Sequence, residues 1–218
     1  HSGRYSKPNG VPEPLIAYNK PIFEGDKPIS ADRILSDEQI DRVREDFIKC
    51  AALAETLGFD GADIKSCHGY LNSELFASFL RPGKYGGSFE NRTRLMRESI
   101  QGAIAATGSD FIITARMNAY DGFPHPYGFG VREGEGLTPY MDEAIKLILL
   151  LESYGVPLIN ITMGNPYVNP HVNRPFTKGG YESPEEPIEG VKRVLSGIRE
   201  IQSAVSIPVF SSALTYLG

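Results

Sequence analysis

Apolar residues along the chain follow two spacings, one typical of amphipathic helices and one of short buried strands. Over residues 40–57 they recur every three or four positions, which places them on one face of a helix. Ser36 and Gln39 have the types and spacing of a capping box at its start, and Gly58 is suited to its end. We therefore predict a helix here, followed by a short strand at Gly61–Lys65.

The same helix-then-strand order recurs three more times. Further helices are predicted at about 91–106, 138–154 and 184–204, with caps at Thr138 (Pro139 in the first turn) and Ser183, and further strands at 111–117, 157–162 and 207–211. Because consecutive strands are separated by helices and not by hairpins, we expect them to be parallel. The segment before the first helix, residues 1–35, is rich in proline and is predicted to be an extended lead-in.

Long loops follow the predicted strands, at about 66–90, 118–137 and 163–186, whereas the returns from helix to strand are short. In parallel α/β folds, ligand sites lie at the carboxyl ends of the strands, where such long loops meet. We therefore look for functional residues at the strand ends and in the loops behind them.

The composition argues against some classes of protein but indicates no particular activity. The 218 residues, 41% hydrophobic and 22% charged, suit a single globular domain over residues 1–218. A net charge of −5 is not that of a nucleic-acid-binding surface, and no apolar run has the length of a membrane span. The two cysteines make no disulfide framework and no signal peptide is visible, so we expect a reducing, cytoplasmic location.

The end of the first predicted strand carries the densest group of reactive side chains. Lys65, Cys67, His68 and Tyr70 fall within six residues. A phenol stays protonated at neutral pH and can act as a general acid, while lysine and histidine can stabilise a developing oxyanion. No closely spaced ligand set supports a metal site, for example one made by Cys67, His68 and His171, and we expect none.

Two segments together resemble the old yellow enzyme family of FMN-dependent NADH:flavin oxidoreductases, which includes ene reductases and 2,4-dienoyl-CoA reductases. They are Lys65-Ser66-Cys67-His68-Gly69-Tyr70-Leu71 and Tyr85-Gly86-Gly87-Ser88-Phe89-Glu90-Asn91-Arg92. The second matches the family pattern in full, and the first departs from it at Lys65, where histidine is common. His1-Ser2-Gly3-Arg4 is similar to the segment after the family's third strand, so the resemblance extends over nearly the whole chain.

The resemblance implies an α/β fold derived from a (β/α)8 TIM barrel. The chain would be an internal fragment with about four βα units, strands four to seven, over residues 36–218. We expect this partial barrel to form an open four-stranded sheet or half-barrel that self-associates through its exposed edges.

The resemblance also implies roles for individual residues. Tyr70 would protonate the substrate, while His68 and Lys65 would bind its activating oxygen. Arg116 would face the pyrimidine edge of FMN or pair with an acid inside the fold, and Ser211 and Ser212 would lie near the FMN phosphate. The loop after the third strand offers Tyr167, His171 and Arg174 as residues that border substrate or flavin.

The implied activity is hydride transfer from NADH or NADPH, by way of FMN, to an activated alkene in a small-molecule enone or dienoyl substrate. One alternative is a Schiff-base lyase with Lys65 as nucleophile. The other is that these 218 residues alone are an inactive fragment that binds FMN weakly or not at all. Some relatives carry an iron–sulfur cluster, which would lie outside this chain. The sequence leaves open the natural substrate and the choice of nicotinamide.

Overall fold

A computed structural model describes Arg4 and residues 7–212, and it shows alternating helices and strands. The sheet has the strand order β1-β2-β3-β4, which confirms the predicted α/β fold. Its strands are β1 (Gly61–Ser66), β2 (Ile112–Tyr120), β3 (Ile159–Met163) and β4 (Val209–Ser211). The helices are α1 (Pro21–Glu24), α2 (Asp37–Thr56), α3 (Leu71–Phe76), α4 (Phe89–Arg92), α5 (Arg94–Ala106), α6 (Asp142–Ser153), α7 (Pro170–Asn173) and α8 (Pro187–Ala204), with 3-10 turns at Pro8–Gly10 and Ala31–Arg33.

The chain divides into two compact units, residues 1–113 and 114–218. Each unit has its own buried apolar residues. The assignment of residues 1–218 to one domain stays a prediction. Within the described residues, no helix combines the length and the apolar character needed to cross a bilayer.

The first unit packs α2 and α5 against each other and against β1. The predicted capping box of α2 is confirmed: Ser36 Oγ accepts the Gln39 N–H at 3.2 Å, and Gln39 Oε1 accepts the Ser36 N–H at 2.8 Å. Tyr85, from the second family segment, is completely buried in this core, and its hydroxyl donates to Asp41 at 2.7 Å. The segment therefore has a structural role in this unit. Other members of the core are Ala17, Tyr18, Leu35, Ile40, Leu71, Leu75 and Leu95.

The lead-in is more ordered than the sequence predicted. It contains α1 and a parallel bridge between Ile16 and Ile34. Arg4 is buried and pairs with Glu24 and Glu74, which compensates the cost of removing its charge from water. Proline-rich composition indicated the lack of long elements here, but it carried no signal for this long-range ion pairing.

The second unit is built on β2, β3 and β4, which pair in parallel. Arg116 is opposite Asn160 and Asn160 is opposite Phe210, so these three side chains form a row on one face of the sheet. The other face is apolar and is covered by helices, among them α8, which packs on β3 and β4. Gly197 of α8 lies against the terminal methyl of Met163, which would have to move to admit a Cβ there.

Two predicted helix starts are wrong. The third long helix begins at Asp142 with Met141 as its N-cap, and not at Thr138; the Tyr140 N–H, just before it, donates to Gly130 O at 2.9 Å. The last begins at Pro187 with Glu186 as its N-cap, and not after Ser183. Ser183 Oγ instead accepts the Glu185 N–H at 3.3 Å, a local turn that imitates a helix cap in sequence.

The predicted long loops contain short helices. The segment 66–90 holds α3 and the start of α4, and the segment 163–186 holds α7. Strand β2 also continues to Tyr120, beyond the predicted end at residue 117. One-turn helices leave too few periodic positions to be recognised from sequence.

Candidate active site

The reactive cluster lies at the carboxyl end of β1 in a tight turn. The Tyr70 N–H approaches Cys67 O at 3.5 Å, and the two central residues, His68 and Gly69, both have positive φ angles, 65° and 72°. Positive φ at both central positions is the geometry of a type I′ turn. A left-handed conformation costs a residue other than glycine about 1–2 kcal/mol, and such strain is concentrated at functional sites.

Lys65, at the end of β1, and Tyr70, the last residue of the turn, form a cation–π pair. The Lys65 Nζ lies 4.1 Å from the centre of the Tyr70 ring. Lys65, His68 and Tyr70 are all half-buried, so they are reachable from solvent but partly shielded from it. An ammonium over the ring face favours the negative charge that grows on a phenol as it gives up its proton.

Helix α3 anchors the turn from behind. Tyr70 is its N-cap, and Tyr70 O accepts hydrogen bonds from the Glu74 N–H (2.9 Å) and from Ser73 Oγ (3.1 Å). Ser73 Oγ in turn accepts the Gly69 N–H at 3.0 Å. The buried Glu74 carboxylate accepts the Ala17 N–H at 2.7 Å and pairs with Arg4. The sequence patterns gave no role to Ser73 and Glu74, although their spacing behind Tyr70 is that of residues in a first helical turn.

Arg116, in the second unit, has a buried donor that is not paired within residues 7–212 or with Arg4. The side chain is half-buried on β2, and its Nε atom is buried with no hydrogen-bond partner among the residues that the structure describes. A buried guanidinium N–H needs an acceptor, so this atom fits a ligand that carries carbonyl or ring-nitrogen acceptors. The pyrimidine edge of a flavin has such acceptors, and in this respect the residue fits FMN.

Ser211 and Ser212 lie at the end of β4, both half-buried. The Ser212 N–H donates to Ile161 O at 3.0 Å, and its hydroxyl donates to Asn160 Oδ1. Ser211 Oγ approaches Ser212 O at 3.4 Å. Their hydroxyl protons are thus directed at protein acceptors, and their assignment to a phosphate site stays a prediction.

The three candidate residues in the loop after β3 differ in their exposure to solvent. Tyr167 is 51% exposed, and its backbone N–H donates to Asn165 Oδ1 at 2.8 Å. Arg174 is also exposed, whereas His171, in α7, is only 7% exposed. Burial holds the pKa of His171 below its ordinary value of 6.5, so the imidazole is kept neutral.

Two residues in this loop were missed from the sequence. Asn173 Nδ2 donates to Met163 O at 2.7 Å and to Thr162 Oγ1 at 3.2 Å, which ties α7 to the end of β3. The Tyr181 hydroxyl lies 2.6 Å from His171 Nδ1. Neither contact follows a periodic pattern, so the only available signal was that polar and aromatic residues are frequent in the loop.

The cysteines and acidic residues do not form a metal centre in the described part of the chain. There, no three His, Cys, Asp or Glu side chains come together as ligands. Cys67, next to His68, is buried and Cys50 on α2 is exposed, and the two do not form a disulfide with each other.

Comparison with known proteins relates this chain to a family. Residues 2–132 match the sequence profile of the NADH:flavin oxidoreductase / NADH oxidase family. An NADH:flavin oxidoreductase of Gibberella zeae is 32% identical over 161 residues, which is 71% of this chain and 37% of the relative. A putative 12-oxophytodienoate reductase of Oryza sativa subsp. japonica is 27% identical over 223 residues, which is 92% of this chain and 58% of the relative.

The fold comparison agrees with the sequence comparison. The old yellow enzyme homologue of Zymomonas mobilis superposes with a TM-score of 0.61 at 21% identity, over 97% of this chain and 54% of that protein. This likeness confirms the predicted partial TIM barrel. The chain thus spans 37% to 58% of the length of these three proteins.

Proposed function

Because this chain belongs to the NADH:flavin oxidoreductase / NADH oxidase family, as the old yellow enzyme resemblance predicted, we propose that its protein reduces an activated alkene with NADH or NADPH. Flavin-dependent oxidoreduction is the chemistry of the family as a whole, in agreement with the FMN prediction. The finer proposal is supported above all by one observation, the Lys65–Tyr70 pair at the end of β1.

FMN, when bound, supplies the two-electron chemistry between the nicotinamide and the alkene. Arg116 would hold its pyrimidine edge, because the buried Nε has no acceptor among the described residues. Ser211 and Ser212 would lie on the side of its phosphate. These three assignments concern the second unit alone and rest on the family resemblance together with the Arg116 geometry.

Tyr70 would donate a proton to the substrate carbon next to the activating group. The phenol has a proton to give at neutral pH, and its half-buried position excludes part of the surrounding water. The Lys65 ammonium, 4.1 Å from the ring centre, stabilises the phenolate that is left behind. The turn at His68 and Gly69 leads directly into Tyr70, and Lys65 is on the strand before it.

His68 and Lys65 would bind the oxygen of the activating carbonyl. Hydrogen-bond donors placed there stabilise the charge that develops on this oxygen during the reaction. Lysine adds a full positive charge where relatives commonly have histidine, so the proposal includes substrates whose activating group carries or develops strong negative charge. Tyr167, His171 and Arg174 are proposed to border substrate or flavin from the loop after β3.

The test uses the complete open reading frame that encodes this sequence. We expect a yellow protein whose FMN absorbance survives gel filtration and which oxidises NADPH or NADH faster when cyclohex-2-enone is added under anaerobic conditions. Parallel assays with the two nicotinamides identify the preferred reductant. A folded but colourless protein that does not bind added FMN would overturn the proposal.

Two further measurements separate the alternatives. Borohydride treatment in the presence of a carbonyl substrate, followed by peptide mass spectrometry, would trap a Schiff base on Lys65 if the protein were a lyase. An FMN titration of the 218-residue chain alone, beside the complete protein, tests whether these residues bind the cofactor by themselves.

Self-association and a reducing, cytoplasmic location are proposed as well. Ile112 on β2 and Phe210 on β4 are 48% and 54% exposed, which favours association through the strands. Cys50 is exposed and free, as expected in a reducing compartment. Light scattering and cell fractionation test these two points, and a monodisperse monomer would contradict the first.

A further inference from the structure

The loop after β3 holds one buried histidine in a defined position. His171 lies in α7, which Asn173 ties to Met163 O at 2.7 Å. Gly164, with φ 75°, leaves room for the backbone of Asn173, and a side chain there would collide with it. The backbone of His171 is therefore fixed to the end of β3, and its ring orientation depends on what the ring contacts.

The Tyr181 hydroxyl contacts His171 at two points. It accepts the backbone N–H of His171 at 3.0 Å and lies 2.6 Å from the ring atom Nδ1. The Tyr181 ring also packs edge-on against Phe176, with ring centres 5.3 Å apart, and against the His171 ring at 5.8 Å. Phe176 comes close enough to Gly179 that a Cβ there would lie 2.6 Å from its ring. Tyr181 is therefore held between two rings with its hydroxyl on His171.

The hydrogen positions follow from counting donors. The backbone N–H must donate, so the hydroxyl oxygen accepts it. Among the described residues, the only other polar atom in hydrogen-bond contact with this hydroxyl is His171 Nδ1, which is therefore the acceptor that the protein offers to the hydroxyl proton. A hydroxyl that donates to Nδ1 requires this atom to be unprotonated, which in a neutral imidazole places the single N–H at Nε2.

The charged groups around His171 do not favour a second proton. Glu185 attracts the imidazolium and Arg193 repels it, but these two pair with each other at 2.6 Å and 2.7 Å, so their effects on the ring largely oppose each other. Burial is the largest influence, and it disfavours the charged ring. The ring is therefore a neutral donor.

We propose that Tyr181 is a positioning residue that fixes His171 as the Nε2–H tautomer, so that the ring offers one oriented hydrogen-bond donor without a positive charge. Such a donor suits a neutral acceptor, for example a carbonyl oxygen, better than a carboxylate. The tautomer of His171 is independent of the proposed function, whereas the role of its Nε2–H as a donor to a substrate carbonyl rests on the proposed function.

The native protein alone gives the first test. Long-range 1H–15N NMR on the 15N-labelled chain near neutral pH distinguishes the two tautomers, and a His171→Gln variant assigns the signals. We expect a ring that is predominantly protonated at Nε2. A ring protonated at Nδ1, or an even mixture of tautomers, would overturn the proposal.

The second test removes only the hydroxyl. Tyr181→Phe keeps the ring against Phe176 and is expected to shift the tautomer ratio of His171 by roughly three- to tenfold toward Nδ1–H, which is the size expected for one lost hydrogen bond. The matched control, Tyr154→Phe in the same unit, is expected to leave the ratio unchanged. An unchanged ratio in a folded Tyr181→Phe protein would contradict the assignment.

Neither NMR measurement requires bound flavin or turnover. A failure of the proposed reductase activity would therefore leave the tautomer result intact, and a wrong tautomer would leave the activity intact. If Tyr181→Phe does not fold, the spectrum of the native chain still decides the question.

Discussion

The turn after β1 and the loop after β3 each hold candidate site residues, but by different means. In the turn, Lys65, His68 and Tyr70 lie within six residues, and the backbone brings the Lys65 ammonium to 4.1 Å from the Tyr70 ring centre. In the loop, the partners His171 and Tyr181 are ten positions apart, and side-chain hydrogen bonds hold them together.

The comparison shows where each arrangement is vulnerable. The turn stores strain in a left-handed histidine and keeps its side chains half-buried. The loop has a buried, hydrogen-bonded histidine that is kept neutral. Changes in the turn should therefore alter chemistry more than stability, while changes in the loop should alter stability and hydrogen-bond geometry first.

The largest effect is expected from Tyr70→Phe in the complete protein. Removing a general acid lowers the rate of the step that it serves by about 10²–10⁴-fold, so turnover with cyclohex-2-enone should fall in that range. Reduction of the flavin by NADPH, measured by stopped-flow absorbance, should be nearly unchanged because it needs no proton from Tyr70. An equal loss in both steps would mean that Tyr70 serves binding or folding instead.

In the loop, Asn173→Ala is expected to reduce stability. The change removes the donor to Met163 O, and leaving a buried carbonyl unpaired costs about 1–3 kcal/mol. Urea unfolding followed by circular dichroism measures this loss. Asn91→Ala, which removes only a contact with the Arg94 side chain, is the control and should change stability by less than about 0.5 kcal/mol.

The strain at His68 can be tested by a pair of substitutions. His68→Gly should be more stable than His68→Ala by about 1 kcal/mol, because only glycine adopts φ near 65° without a steric penalty. At the exposed helical position Asp46 the order should reverse, with alanine more stable than glycine by about 1 kcal/mol. If the alanine variant were more stable than the glycine variant at both positions, the turn would not be strained in solution.

The smallest effect concerns the pH dependence of stability through His171. Its folded pKa lies below the ordinary 6.5, so between these two values the unfolded chain binds more protons than the folded one. The free energy of unfolding should therefore rise with pH from the folded pKa to 6.5. The contribution of His171 is fully present above 6.5, and it is lost as the pH falls through the folded pKa. Urea unfolding from pH 5 to 7.5 measures the slope, and His171→Gln should reduce it; an identical slope in that variant would contradict the buried, neutral histidine.

Much of the secondary structure was predictable because it is encoded locally. The capping box at Ser36 and Gln39 starts α2 where predicted, since capping depends on residues three positions apart. The same local rules placed the third long helix too early, at Thr138, whereas the helix begins at Asp142. The segment before it is bonded to a residue ten positions away, since the Tyr140 N–H donates to Gly130 O, and the local signals at Thr138 and Pro139 do not encode that contact.

The sequence by itself determined the family, the order of helices and strands, and the residues in the turn after β1, because motif, periodicity and turn all act over a few neighbouring positions. Only the tertiary structure decided that Lys65 stacks on Tyr70, that Arg116 has a buried Nε with no acceptor in the described part of the chain, and that Tyr181 contacts His171. These contacts depend on burial and on distances across loops and strands. A pattern of residue types does not encode such distances until the chain has packed.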